Sequence, residues 1–155
     1  MSAVVADTHI AIWYLATPDK LSPDALAALD EADATGGPIY VASISVVEVT
    51  YLIEKGRLPE VVFERLIGEL SRPDSGLVVV PLDLPVAQAL RRVPRAVVPE
   101  MPDRIIAATA LYLGLPLVSA ICACARLTSR RSGSRRSPMR ENPWPGSWAG
   151  SGSSS

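Results

Sequence analysis

Apolar positions along the chain fall into short unbroken runs that alternate with longer stretches in which they recur every third or fourth place. Ala3 to Ala6 is a run of the kind a strand buried on both faces shows. Asp7-Thr8 then opens a helical pattern through Ile10 to Leu15. Ser22-Pro23-Asp24 marks a helix start, with Ser as N-cap and Pro at the first helical position. That helix is expected to reach about Ala34 and to stop at Gly36-Gly37-Pro38. Ile39 to Ala42 reads as a second strand, and Ser45 is expected to begin a helix that ends near Gly56. Pro59 to Leu70 is helical, with Val62, Leu66 and Leu70 on one face. Leu77 to Val80 is a third strand and Leu84 to Val93 another helix. Pro102 opens a helix through Leu113 that Gly114 ends, and Leu115 to Ser119 is a fourth strand. Strands alternating with helices predict an α/β fold around a parallel sheet. Sites in such sheets form beyond the carboxyl ends of the strands, where Asp7 lies.

After Ala120 the texture changes. Residues 129–155 are mostly Ser, Arg, Gly and Pro, with Trp144 and Trp148 isolated among them and no period of 2 or 3.6. Residues 1–120 therefore read as one folded domain and residues 121–155 as a disordered tail. Charge divides at the same place. Residues 1–120 carry nine Lys/Arg against fifteen Asp/Glu, whereas residues 121–155 carry six Arg against Glu141 alone. No basic, apolar leader opens the chain, and the longest apolar stretch, Leu113 to Ala125, is too short to span a bilayer. The expectation is a soluble cytoplasmic protein with no membrane partner. Cys122 and Cys124 supply at most two ligands and His9 is remote from them, which disfavours zinc.

Three acids carry candidate chemistry, and each has a structural reading beside it. Asp7 ends the first strand and also suits the N-cap of the next helix. Glu48 stands three residues after Ser45, the spacing of a capping box. Asp103 follows Pro102 in a first helical turn, where the helix dipole favours a carboxylate. Their surroundings argue for more. Glu48 is bracketed by Val46, Val47, Val49 and Leu52, and Asp103 is followed by Ile105, Ile106 and Ala107. Acids embedded in core-like segments are costly unless a cation offsets them. Mg²⁺ takes carboxylate and water oxygens and needs neither His nor Cys.

Val4-Val5-Ala6-Asp7-Thr8-His9-Ile10 resembles the opening strand and first acid of PIN domains, especially the VapC-type toxins of type II toxin–antitoxin pairs. Ser43-Ile44-Ser45-Val46-Val47-Glu48-Val49, followed by Glu54-Lys55-Gly56-Arg57-Leu58, is similar to their second acidic motif. Pro102-Asp103-Arg104-Ile105-Ile106-Ala107-Ala108-Thr109-Ala110 is similar to the third, and Leu115 to Ala120 to the fourth strand. The resemblance implies a three-layer α/β sandwich with a central parallel sheet of about four strands. It implies Asp7, Glu48 and Asp103 as metal ligands and catalytic residues around Mg²⁺ or Mn²⁺, with Thr8 in support. It further implies an endoribonuclease whose metal-activated water hydrolyses RNA, a homodimer, and a cognate antitoxin whose C-terminal segment enters the acidic site. Trp13, Tyr14 and Leu15, with Tyr51 and Leu52, are expected to line the antitoxin groove or to pack in the core. His9 is expected to be partly buried, and Arg57, Arg65, Arg91, Arg92 and Arg104 are candidate RNA contacts.

The chain departs from the family at Ile121, where the family places a fourth acid. A triplet begun on the third base of the Ala120 codon can spell Asp, and one allowed continuation restores a family-like ending. We read the coding frame as slipping after Ala120, which leaves the last strand missing and makes the tail's arginines an accident of frame. Two alternatives stand beside an active nuclease. One is a catalytically dead toxin remnant that only binds its antitoxin. The other is a phosphatase with Asp7 as nucleophile, disfavoured because position 9 is His where an Asp-x-Asp pair is needed.

Overall fold

The computed structural model describes residues 2–120; the frame slip, Ile121, the cysteine pair and the Arg-rich tail lie outside the described residues. The elements are β1 (Val4–Ala6), α1 (Thr8–Ala16), α2 (Pro23–Ala34), β2 (Ile39–Ala42), α3 (Ser43–Glu54), α4 (Glu60–Ser71), β3 (Leu77–Val80), α5 (Leu84–Ala89), α6 (Met101–Leu113) and β4 (Leu117–Val118). The strands form one parallel sheet in the order β3-β2-β1-β4. The chain thus builds outward from β1 through β2 to β3, then returns across β1 to lay down β4 on its other side. The direction of winding reverses between β1 and β4, and at such a switch point a crevice opens beyond the strand ends.

Alternation along the strands makes both faces of the sheet apolar. Val4, Ala6, Ile39 and Val41 pack with Ile10 of α1 and with Ala25, Leu29 and Ala32 of α2. Val5, Ala42 and Leu117 pack on the opposite side with Ile106, Ala107 and Ala110 of α6 and with Ala89 of α5. A third cluster of Ile12, Val49 and Leu66 binds α1, α3 and α4 together. The result is the expected three-layer sandwich, and continuous apolar strands are what a doubly covered parallel sheet requires.

Local signals act largely as the sequence predicts. Ser22 caps α2 by accepting the Ala25 N–H at 3.2 Å. Gly114 ends α6 in the left-handed region at φ 66°. Three boundaries differ. α3 begins at Ser43 with Ala42 as its N-cap, because β2 runs straight into it, so Ser45 lies inside the first turn. α5 ends at Ala89 and tightens into a 3₁₀ turn over Leu90–Arg92. β4 contracts to two residues: β1 is its one partner among the described residues, and Pro116 has no N–H to give. The Pro116 carbonyl still accepts the Val5 N–H at 2.9 Å. No helix among the described residues is long and apolar enough to cross a membrane.

The N-terminal segment lies against the turn between α2 and β2. The Ser2 N–H donates to Thr35 Oγ1 at 3.1 Å, and the Ser2 hydroxyl donates to Glu31 at 2.9 Å. A Cβ on Gly37 would stand 2.1 Å from the Ser2 carbonyl oxygen, whereas one on Gly68, inside α4, meets nothing. Gly37→Ala should therefore lower stability by about 1–3 kcal/mol. Gly68→Ala should raise it by about 0.5–1 kcal/mol. Thermal melting of the two variants checks the pair; equal shifts would contradict the close approach at Gly37.

Candidate active site

Asp7 is the single residue between β1 and α1, held extended at φ −74° and ψ 173°. Its Oδ1 accepts the Ile10 N–H at 2.9 Å, so the N-cap expected from the sequence is present. Its Oδ2 accepts the Ala120 N–H at 3.0 Å, just beyond β4, and its own N–H donates to the Val118 carbonyl at 3.1 Å. One carboxylate therefore joins the start of α1 to the end of β4, across the switch point. Hydrogen bonds to a charged acceptor contribute about 1.5–3 kcal/mol each, enough to hold the side chain in one orientation. The structural reading of Asp7 as N-cap therefore holds.

Thr8 and Glu48 form the second arm. Thr8 opens α1 and is 3% exposed, and Ser45 in the first turn of α3 is 0% exposed. The Thr8 hydroxyl hydrogen-bonds the Glu48 carboxylate and lies 3.0 Å from the Ser45 hydroxyl. The capping-box reading of Ser45 and Glu48 is thereby corrected. Ser45 is not the N-cap, and both side chains point across to α1 instead of back along their own helix. The sequence carried no signal for Ser45 at this position, since the contact spans 37 residues and belongs to no helical or strand period.

Asp103 forms the third arm, half-buried in the first turn of α6. Burial raises its pKa above the usual carboxylate range, the negative charges of Asp7 and Glu100 raise it further, and His9 opposes them. Asp103 therefore lies in the electrostatic field of Asp7, while Glu48 is tied to the residue next to Asp7. Among the described residues, no group of three or more His, Cys, Asp or Glu side chains is arranged to hold a metal ion. His9, expected to be partly buried, is exposed, and its ring stands 5.7 Å from Trp13 at a 56° tilt.

A groove lies apart from the three acids, none of which lines it. It has a volume of about 470 Å³ and lies between α1 and the α3–α4 turn. Ile12, Trp13, Leu58, Pro59, Val61 and Val62 form its apolar wall, and Lys20, Arg57 and Arg65 supply three cations with no acid among them. Of the five aromatic and apolar candidates only Trp13 lines it. Leu15 packs in the core, and Tyr14 packs beside α2, where burial, Asp33 and Asp30 raise its phenol pKa. Tyr51 is 56% exposed, with the Lys55 ammonium 4.2 Å from its ring centre, and does not line the groove; nor does Leu52. Arg104 is not a solvated surface charge. Its Nη2 donates to the Val93 carbonyl at 3.0 Å and its Nε is buried, which fixes α6 to the segment that precedes it. Arg57, Arg65, Arg91 and Arg92 are exposed, as the sequence reading assumed.

A four-stranded parallel α/β domain with an acid, Asp7, at the switch between its first and last strands defines a class, and the comparisons place the chain within it. The PIN domain model matches residues 4–120, and the chain belongs to that family. The chain is 29% identical over 144 residues to ribonuclease VapC22 of Mycobacterium tuberculosis (strain ATCC 25618 / H37Rv), a match covering 93% of this chain and 100% of that protein. The fold is similar to the crystal structure of VapBC2 from Rickettsia felis bound to a DNA fragment from their promoter. There the TM-score is 0.54 and the identity 17%, over 74% of this chain and 85% of that one. The PIN resemblance and the α/β fold read from the sequence are both borne out.

Asp103 supplies a pH test of this geometry. Its proton is held more tightly in the folded chain than in the unfolded one. Its contribution to stability is thus complete below the ordinary value of 3.8 and is lost as pH rises through the raised value. In metal-free buffer, Asp103→Asn, which does not titrate, should gain on the parent chain as pH rises from about 3.5 to about 7. Melting temperatures across that range check it; a gap that stays constant or moves the other way contradicts the crowding of Asp103.

Proposed function

We propose that the chain is a metal-dependent endoribonuclease of the VapC type, the toxin of a toxin–antitoxin pair. The single observation that carries this reading is the convergence on Asp7: its carboxylate bridges α1 and β4, its field raises the pKa of Asp103, and its neighbour Thr8 holds Glu48. The family shown by residues 4–120 and the similarity to a protein named as a ribonuclease support it.

The donor set fits a hard divalent cation. Asp7, Glu48 and Asp103 offer carboxylate oxygens, and Mg²⁺ or Mn²⁺ would offset the burial and the negative neighbours that raise the pKa of Asp103. These three residues would hold the ion, and closing around it requires side-chain movement from the arrangement described above. When bound, the ion supplies an activated water and positive charge opposite the phosphate oxygens. Asp7 serves as the fixed point, because both of its oxygens are oriented by backbone N–H groups. Glu48 is oriented by Thr8. Water adds across the phosphodiester, the bond from phosphorus to the 3′-oxygen breaks, and a 5′-phosphate and a 3′-hydroxyl remain.

The groove supports the partner reading. An antitoxin segment that joins apolar to acidic side chains matches a wall of Ile12, Trp13 and Val62 rimmed by Lys20, Arg57 and Arg65. The tilted contact between Trp13 and His9 brings the end of that groove to the acid-bearing start of α1. A homodimer remains part of the proposal through the family. A second reading, a remnant that binds antitoxin without cleaving RNA, is favoured by the lack of a ready three-acid group among the described residues.

Cleavage of structured RNA in Mg²⁺ tests the proposal. Activity should fall by at least about a hundredfold in Asp7→Ala, the scale of losing several kcal/mol of transition-state stabilisation. Parent activity that equals Asp7→Ala, together with intact antitoxin binding, selects the remnant. The charge reversal Arg57→Glu should weaken antitoxin capture without lowering the melting temperature, because Arg57 is exposed; undiminished capture removes the groove from the interface.

A further inference from the structure

Resting on that functional reading, we propose that Ser45 is a positioning residue for the metal centre, acting through Thr8 on Glu48. The argument begins with counting protons. The Thr8 hydroxyl has one hydrogen and two oxygen neighbours, Ser45 Oγ and a Glu48 carboxylate oxygen. The Thr8 hydroxyl donates to the Glu48 carboxylate oxygen, which uses its one proton. The 3.0 Å contact to Ser45 then needs a proton from Ser45. The direction of the chain is therefore set: Ser45 donates to Thr8, and Thr8 donates to Glu48.

Burial gives this order its effect. Ser45 is 0% and Thr8 3% exposed, so water does not compete for either hydroxyl, and donation into Thr8 strengthens the bond that Thr8 makes to Glu48. A buried serine hydroxyl is expensive unless it is hydrogen-bonded. It also spans two elements, because Ser45 and Glu48 share α3 whereas Thr8 opens α1 directly beside Asp7. The relay thus ties the acid of α3 to the residue that follows Asp7, and leaves the second Glu48 oxygen for the ion. Outer partners of ligating groups typically change metal affinity by about 10–100-fold.

The test uses the full chain and Mn²⁺ alone, read as the rise in melting temperature with Mn²⁺ concentration, with RNA cleavage as a parallel readout. Ser45→Ala should move the midpoint of that rise to at least about tenfold higher Mn²⁺. It should lower kcat at saturating Mg²⁺ less than at limiting Mg²⁺, and leave KM for RNA unchanged. Thr8→Val should do the same, Thr8→Ser should restore the parent midpoint, and the double variant Ser45→Ala with Thr8→Val should be no worse than Thr8→Val alone. Non-additivity of that kind marks one pathway. Should Ser45→Ala fail to fold, the contrast between Thr8→Val and Thr8→Ser, with the Mn²⁺ midpoint shifting only in the former, carries the test of the shared bond. A folded Ser45→Ala whose melting temperature drops while its Mn²⁺ midpoint stays at the parent value overturns the relay and leaves the proposed nuclease standing. A parent chain that shows no Mn²⁺-dependent rise at all overturns both.

Discussion

The carboxylate of Asp7, shared between the Ile10 and Ala120 N–H groups, is the interaction on which the arrangement of the site depends. It sits where the winding of the sheet reverses, and it links the start of α1 to the end of β4, the neighbour of β1. Because α1 begins at Thr8, the same bond fixes the angle of the helix that carries Thr8, His9, Ile12 and Trp13. The N-cap of α1, the Thr8–Glu48 contact and the Trp13 side of the groove therefore follow from one anchor. β1 and β4 already pair in the sheet, and Asp7 adds a side-chain bond at their carboxyl ends.

The three candidate acids differ in the partners that hold them. Asp7 has two backbone donors, and Glu48 has the Thr8 hydroxyl. Asp103 has the N-terminal end of α6 and the opposing influence of exposed His9, against burial and two negative neighbours. Burial first, and then the negative charges of Asp7 and Glu100, push Asp103 toward its neutral form.

Much of this was legible in the sequence, where a local rule determines the outcome. Ser22-Pro23, Gly36-Gly37-Pro38 and Gly114 each set an element boundary through backbone geometry that few other residues supply. β1 and β2 were legible because burial on both faces leaves them unbroken apolar runs, whereas β3 keeps its run although Val78 and Val79 are exposed. What escaped was tertiary. Ser45 and Glu48 have capping-box spacing, but β2 enters α3 two residues early and turns both side chains toward α1. Arg104 reads as a surface charge until α6 packs its guanidinium against the Val93 carbonyl. His9 stays exposed because the buried face of α1 is taken by Thr8, Ile10, Ala11 and Ile12. The Lys20, Arg57 and Arg65 cluster joins three segments that no single window contains.

The central claim is that Asp7, Glu48 and Asp103 share one divalent cation. Crystals of the full chain soaked in Mn²⁺ and measured at the manganese absorption edge test it directly. The account predicts an anomalous peak bounded by carboxylate oxygens of all three residues at about 2.1 Å. A peak elsewhere on the molecule, or none with Asp103 still apart from Glu48, would contradict it.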